Sequence, residues 1–132
     1  MSAVAEELSG LSVKLDNLVY NHDPENLPEE QAHAFIYFLT ISNLSKETVT
    51  LLGRKWIITY ADQSTQVIEG DKIVGKTPTL EPGKSFSYNS YHVTNQNARV
   101  HGSFHGVTAD GRHIFCKIPP FFLTISEDDE IN

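Results

Sequence analysis

Apolar and polar positions alternate with a period of two along most of this chain, which is the signature of half-buried β-strands rather than helices. Residues 33–43 place Phe35, Tyr37, Leu39 and Ile41 on one side of a pleat. The other side mixes Ile36 and Phe38 with Thr40 and Ser42, so it is only partly polar. Residues 49–60 repeat the theme, with Leu52, Trp56, Ile58 and Tyr60 on one parity. Further strands are predicted at about 11–20, 65–69, 84–89, 99–108, 112–118 and 121–126, rich in the β-branched and aromatic residues that suit a pleated surface. Turn signals at Asn43-Leu44-Ser45, Ala61-Asp62-Gln63, Glu81-Pro82-Gly83 and Ala109-Asp110-Gly111 separate them. Seven or eight strands at this spacing predict an all-β, immunoglobulin-like antiparallel β-sandwich. No long helix is needed, although residues 2–9 suit a loose turn or two. The expected organisation is a flexible N-terminus at 1–10, one β-sandwich domain at 11–126 and an acidic tail at 127–132.

One hairpin can be read in register. A two-residue turn at Asp110-Gly111 would set core-facing Phe104 against Lys117. A three-residue loop from Ala109 to Gly111 instead opposes Phe104 to Cys116 and Gly106 to Ile114, with Gly111 at the left-handed position that such loops require. Val100, Gly102, Phe104, Ile114, Cys116 and Ile118 then share the buried face. A slip of one residue would exchange the two faces.

Composition narrows the function classes. A chain of 132 residues suits one domain with its own core. Cys116 is the single cysteine, so no internal disulfide can form. With an acidic beginning and no cationic segment leading an apolar stretch, the expectation is a cytoplasmic protein without a signal peptide. No apolar run approaches the roughly 20 residues that span a bilayer, so no membrane partner is expected. The formal net charge is −7, and the ten Lys and Arg are scattered. Both features argue against a phosphate-neutralising nucleic-acid surface.

Specific residues then carry a resemblance. Leu51-Leu52-Gly53-Arg54-Lys55-Trp56-Ile57-Ile58-Thr59 is followed by a glycine loop from Gly70 to Gly75 and by Thr77-Pro78. Then come Leu80-Glu81-Pro82-Gly83, Phe86-Ser87-Tyr88-Asn89-Ser90, Gly102-Ser103-Phe104, Asp110-Gly111 and Ile118-Pro119-Pro120-Phe121. In this order and spacing, from about Val13 to Ile125, the chain resembles the ApaG family of small bacterial proteins. The resemblance implies a fibronectin type III-like sandwich with no established reaction. It also implies a protein-interaction role, because similar domains are fused to F-box and DNA-polymerase-interacting proteins. A link by name and gene neighbourhood to cobalt and magnesium resistance and to dinucleoside-tetraphosphate metabolism is implied as well. Two departures stand out. Lys72 occupies the place of the family's middle glycine in Gly-x-Gly-x-x-Gly, and Tyr91 follows Ser90 where the family has glycine.

The candidate chemistry is sparse. A dinucleotide-type glycine loop joins a strand to a helix whose N-terminal amides face phosphate. Here Thr77-Pro78 and Glu81-Pro82-Gly83 follow, and no helical pattern succeeds it. The loop reads either as a connection needing positive φ at Gly70 or Gly75, or as an anion site in which loop amides join Lys72 and Lys76. His101 and His105 lie about 13 Å apart at strand rise and cannot share an ion. His113 falls opposite Val107 and diagonal to His105, but a stable metal site needs a third or fourth ligand. No metal site and no cofactor are expected. Cys116 lies on the buried parity, no Ser stands in a nucleophile motif, and Asp and Glu cluster in loop and tail, so no catalytic residues are expected. Trp56 is assigned to the core, and Arg54, on its parity, to a partner near the sheet edge.

These readings converge on a non-enzymatic binding module for a protein partner. The alternative is a small-ligand sensor for a phosphate-bearing metabolite or a divalent cation. Exposed apolar features are expected at the loop from Ile73 to Pro78, at a Tyr91-His92 turn, and at Phe122, whose parity opposes Phe121 and Leu123.

Overall fold

The computed structural model describes residues 4–22, 25 and 33–125. Strand is the only regular structure among them, and it forms a two-sheet sandwich of nine strands. In chain order these are β1 (Glu6–Glu7), β2 (Leu11–His22), β3 (His33–Asn43), β4 (Val49–Tyr60), β5 (Thr65–Asp71), β6 (Thr79–Leu80), β7 (Ser85–Thr94), β8 (Ala98–Thr108) and β9 (His113–Leu123). The larger sheet runs β1-β9-β8-β4-β5, with β6 also paired to β4; the smaller runs β2-β3-β7. Among the described residues no helix is long and apolar enough to cross a membrane.

The strand count exceeds the expected seven or eight, and the antiparallel expectation needs one amendment. β1 pairs in parallel with β9, Glu6 with Ile114 and Glu7 with Phe115, where residues 2–9 suit a loose helical turn by sequence. Leu8 donates its amide to the Phe115 carbonyl at 3.1 Å, which secures that pairing. The acidic tail at 127–132 and most of the loop joining β2 to β3 lie outside the described residues.

The hairpin of β8 and β9 has the expected register, with Phe104 opposite Cys116, Gly106 opposite Ile114 and Val107 opposite His113. Thr108 and Arg112 close the three-residue loop through a backbone bond of 2.9 Å, and Gly111 has φ +85°. The final strand is not separate. β9 continues through Pro119-Pro120, where an extra residue shifts the pairing from Gly102–Ile118 to Val100–Phe121. Proline donates no amide bond, so a strand tolerates a pair of them at a bulge. This bulge turns Ile118, Phe121 and Leu123 all inward.

β4 contains a second bulge, at Leu52, between the pairs Leu51–Gly106 and Gly53–His105. Val49 and Leu51 face the core before it; Trp56 and Ile58 face the core after it. The single parity read from sequence for Leu52, Trp56, Ile58 and Tyr60 is therefore broken. Leu51, not Leu52, is the fully buried residue. The core is dominated by ring contacts: Trp56 lies 5.1 Å from Tyr37 and makes edge contacts with Phe104 and Phe121 at 6.3 and 6.1 Å. Such offset and edge geometries are the favoured ones for aromatic pairs.

Asn43, wholly buried at the end of β3, fastens one end of the sandwich. Its Nδ2 donates to the carbonyls of Glu47 and Leu80 at 2.7 and 2.8 Å, while Oδ1 accepts from the amide and hydroxyl of Ser45. A buried amide with both ends satisfied holds the turn after β3 against β6. Asn43→Ala strands those groups in an apolar interior, so equilibrium urea denaturation is expected to show a loss on the order of 3 kcal/mol.

Candidate functional site

The bulge at Leu52 puts Arg54 on the inner face of β4, opposite Phe104 on one side and Gly70 on the other. Its Nη1 donates to the carbonyls of Asp71 and Lys72, each at 2.9 Å. This agrees with the expected pairing of Arg54 near a sheet edge, since β5 is the edge strand. Gly70 makes the position possible: a Cβ there would stand 2.8 Å from Nη1 and 3.0 Å from Cζ of Arg54. The first glycine of the loop is thus explained by the guanidinium that crosses it, and it does not have positive φ.

Beside Arg54 a cleft of about 170 Å³ opens between the sheets, where among the described residues the edge strands β5 and β7 are not paired with each other. Trp56, Ile58, Val100 and Phe121 form its apolar floor; Arg54, Ser90 and His92 supply its polar wall. Burial pushes the Tyr37 hydroxyl up from its ordinary range, partly offset by its hydrogen bond with Ser90. Burial also pulls His92 down, favouring the neutral imidazole, whose Nε2 lies 3.3 Å from the Tyr60 hydroxyl. The Tyr88 hydroxyl is buried without a hydrogen-bond partner, and desolvation raises it strongly.

A second feature lies on the opposite side of β7. The outer face of the smaller sheet sets Val19, Ile36 and Tyr91 in one cross-strand row, with Phe38 next to Ile36 on the same face of β3. Tyr91 is 66% exposed, Val19 39% and Phe38 36%. A solvated sheet face normally reads polar, and this one does so beside the row, where Phe38 stands between Asn17 and Asn89, and at its other end, where Ser42 bonds Ser85 and Thr40 bonds Asp16 and Ser87. The mixed outer parity of residues 33–43 was the sequence signal for this patch. Val19 joins the patch because the bulge between Leu15 and Asn17 reverses the parity of β2, whose faces were not assigned from sequence.

The sequence-predicted partner residues do not converge. Ile73, expected on an exposed loop, is wholly buried and belongs to the core. A tight turn from Ile73 to Lys76, with two backbone bonds between those residues, folds the side chain inward. Pro78 is half-buried, and its carbonyl accepts from Leu51 at 2.9 Å. Tyr91 and His92 form no turn, because β7 stays paired with β3 as far as Thr94. Tyr91 faces outward and His92 inward to the cleft. Phe122 is exposed at 64% opposite Arg99, but on the outer face of the other sheet.

In the glycine loop, the amides of Lys72, Ile73 and Lys76 are already bonded to the carbonyls of Leu52, Lys76 and Ile73. Gly75 has φ +80°, as one of the two expected positions, and Lys72 and Val74 also have positive φ, +70° and +43°. Lys72 thus occupies a left-handed site, which accounts physically for glycine in the family pattern. The Lys72 and Lys76 side chains remain exposed. His113 is diagonal to His105, as expected. Among the described residues no three His, Cys, Asp or Glu side chains come together. Cys116 is buried, with its thiol pushed up to about 12 by desolvation.

Fold and site together define a small two-sheet β-sandwich domain with an open inter-sheet cleft and an apolar outer patch. The chain belongs to the ApaG family: the ApaG domain pattern matches residues 23–108. It is 38% identical to the ApaG protein of Shewanella woodyi over 115 residues, 86% of this chain and 91% of that one. It is similarly 38% identical over 100 residues to the ApaG protein of Acidithiobacillus ferrooxidans, 75% of this chain and 79% of that one. A structural-genomics X-ray structure 31% identical in sequence superimposes with TM-score 0.79, covering 88% of this chain and 87% of that one. A crystal structure of a Bordetella pertussis protein, 26% identical, gives 0.78 over 92% and 98%.

Two measurements follow from this geometry. A Cβ at Gly75 meets nothing within 4 Å, so the cost of Gly75→Ala is conformational alone. Denaturation is expected to show a loss of about 1 kcal/mol, while Val74→Gly, releasing a β-branched residue from positive φ, gains up to about 1 kcal/mol. Because the folded state depresses His92, the unfolded chain binds its proton more readily. Stability is therefore expected to fall as pH drops below about 6.5, and His92→Gln should flatten that fall in melting curves.

Proposed function

We propose that this ApaG-family domain is a non-enzymatic cytoplasmic binding module that docks a protein partner on the outer face of β2, β3 and β7. The observation that carries this reading is the registered row Val19–Ile36–Tyr91 with Phe38 beside it, an apolar cluster where a solvated sheet face has no packing need for one. Aromatic side chains on a rigid sheet lose little entropy on binding and supply most of the energy at protein interfaces. Tyr91 is an addition relative to the family pattern, and its side chain does not serve the core. The acidic balance favours a protein over a nucleic acid. Against catalysis stand the buried, high-pKa thiol of Cys116 and a cleft that no carboxylate lines among the described residues.

The test places a photo-reactive amino acid at Phe38 or Val19 in cells, with Phe122 on the other sheet as the control position. One protein is expected to cross-link from both patch positions and not from the control. Tyr91→Ala is then expected to leave the melting temperature unchanged and to weaken capture of that protein by about tenfold, on the ~1.4 kcal/mol scale of a modest hot spot. A loss of several kcal/mol in stability, or capture undiminished, would remove this face from consideration.

A further inference from the structure

The cleft beside Arg54 has a chemistry that the protein-docking face does not use. Arg54 carries five N–H donors, of which the two on Nη1 are committed to the Asp71 and Lys72 carbonyls. Nη2 and Nε donate to no protein acceptor among the described residues. No carboxylate among them lies within ion-pair distance either, although the molecule carries an excess of acids. A half-buried guanidinium held against carbonyls and left without a counter-ion is a preformed receptor for an anion.

The surroundings specify which anion. Opposite Arg54 in the larger sheet is Phe104, and 6.1 Å from that ring is Tyr88, whose buried hydroxyl has no partner. Tyr88 lies behind the cleft and does not line it; Ser90, the next inward residue of β7, puts a hydroxyl on the cleft wall itself. The rest is Trp56, Ile58 and Val100 with their neighbours. An apolar cavity of about 150 Å³ is large enough to take benzene. The cleft here is about 170 Å³, with one permanent charge on its wall. A phosphate dianion would surrender its hydration to hydrocarbon for a single cation. A monoanion with an apolar body meets both walls.

We propose that this cleft binds a small aromatic monocarboxylate, its carboxylate on the free donors of Arg54 and its ring over Trp56, Ile58 and Val100. The site lies between the sheets, on the opposite side of β7 from the outer-face docking surface, and Tyr91 borders both. The ligand's body fills space between the sheets that the fold leaves open, and its charge completes the hydrogen bonding of Arg54.

Trp56 is the only tryptophan in the chain and lines the cleft, so its emission reports occupancy directly. The purified full chain is titrated with sodium benzoate, with benzyl alcohol as the neutral isostere and inorganic phosphate as the apolar-free anion. Benzoate is expected to give a saturable change at millimolar concentration or below, with benzyl alcohol and phosphate at least tenfold weaker. Arg54→Gln is expected to abolish the response. If that variant does not fold, as judged by its far-UV spectrum, Ser90→Val provides the second reading, narrowing the mouth and weakening benzoate by at least tenfold. No saturable response to benzoate overturns the proposal. Equal responses to benzoate and benzyl alcohol also overturn it, as does phosphate matching benzoate or a response that survives both substitutions.

Discussion

The extra residue at Leu52 is the constraint on which the rest of this molecule depends. A strand of period two cannot bury Val49 and Leu51 at one end and Trp56 and Ile58 at the other unless one residue is taken out of step. The bulge does this, and the change reaches across both sheets. Trp56 reaches the centre of the core, against Tyr37, Phe104 and Phe121. Arg54, two residues earlier, is carried inward with it, and a permanent charge enters the space between the sheets. Gly53, turned outward, lies under the His105 ring, whose Nε2 would stand 2.4 Å from a Cβ there. The buried aromatic centre and the charged cleft are therefore two consequences of one backbone irregularity.

How much was legible in the sequence follows the same logic. The β8–β9 register was legible because an αL glycine and two apolar faces agreed on a single loop length. The bulges were written as parity changes. Core positions run odd then even in β4, from Leu51 to Trp56. They do the same in β2, from Leu15 to Leu18, and run even then odd in β9, from Ile118 to Phe121. Alternation read over one short window cannot see such a change; it appears only when both ends of a strand are required to face the same core. Ile73 was misread for a different reason. Loop residues are expected outside, yet a four-residue turn with two positive-φ positions points its first side chain back into the sandwich. The cleft was invisible because it arises where β5 and β7, which belong to different sheets, are not paired with each other, and strand alternation does not say which edges are left unpaired.

β7 links the two surfaces discussed above. Its outward residue Tyr91 stands between Ser90 and His92, which face the cleft. The pleat guarantees that neighbouring residues serve opposite faces, so an apolar outer patch and a polar cleft wall coexist on one strand without competing. Among the described residues β7 pairs only with β3. A strand held on one side only adjusts more easily than one held on both.

The strained turn after β5 is best understood through what it holds in place. The Lys72 amide reaches back to the Leu52 carbonyl at 2.6 Å, while the carbonyls of Asp71 and Lys72 receive Nη1 of Arg54. Bulge, turn and guanidinium form a closed circuit, and the positive φ of Lys72 is the geometry that turns its amide and its carbonyl to these two different partners. A glycine would adopt that conformation with less strain, but also with more freedom to leave it. A lysine at φ +70° carries a local cost on the order of 1 kcal/mol that the circuit must overcome. The hydrogen bonds that offset this cost are those that fix Arg54. With Nη1 anchored to the backbone, the remaining donors are held in a set direction before any ligand arrives. That is the preorganisation an anion receptor needs, and it originates in the same extra residue that centres Trp56.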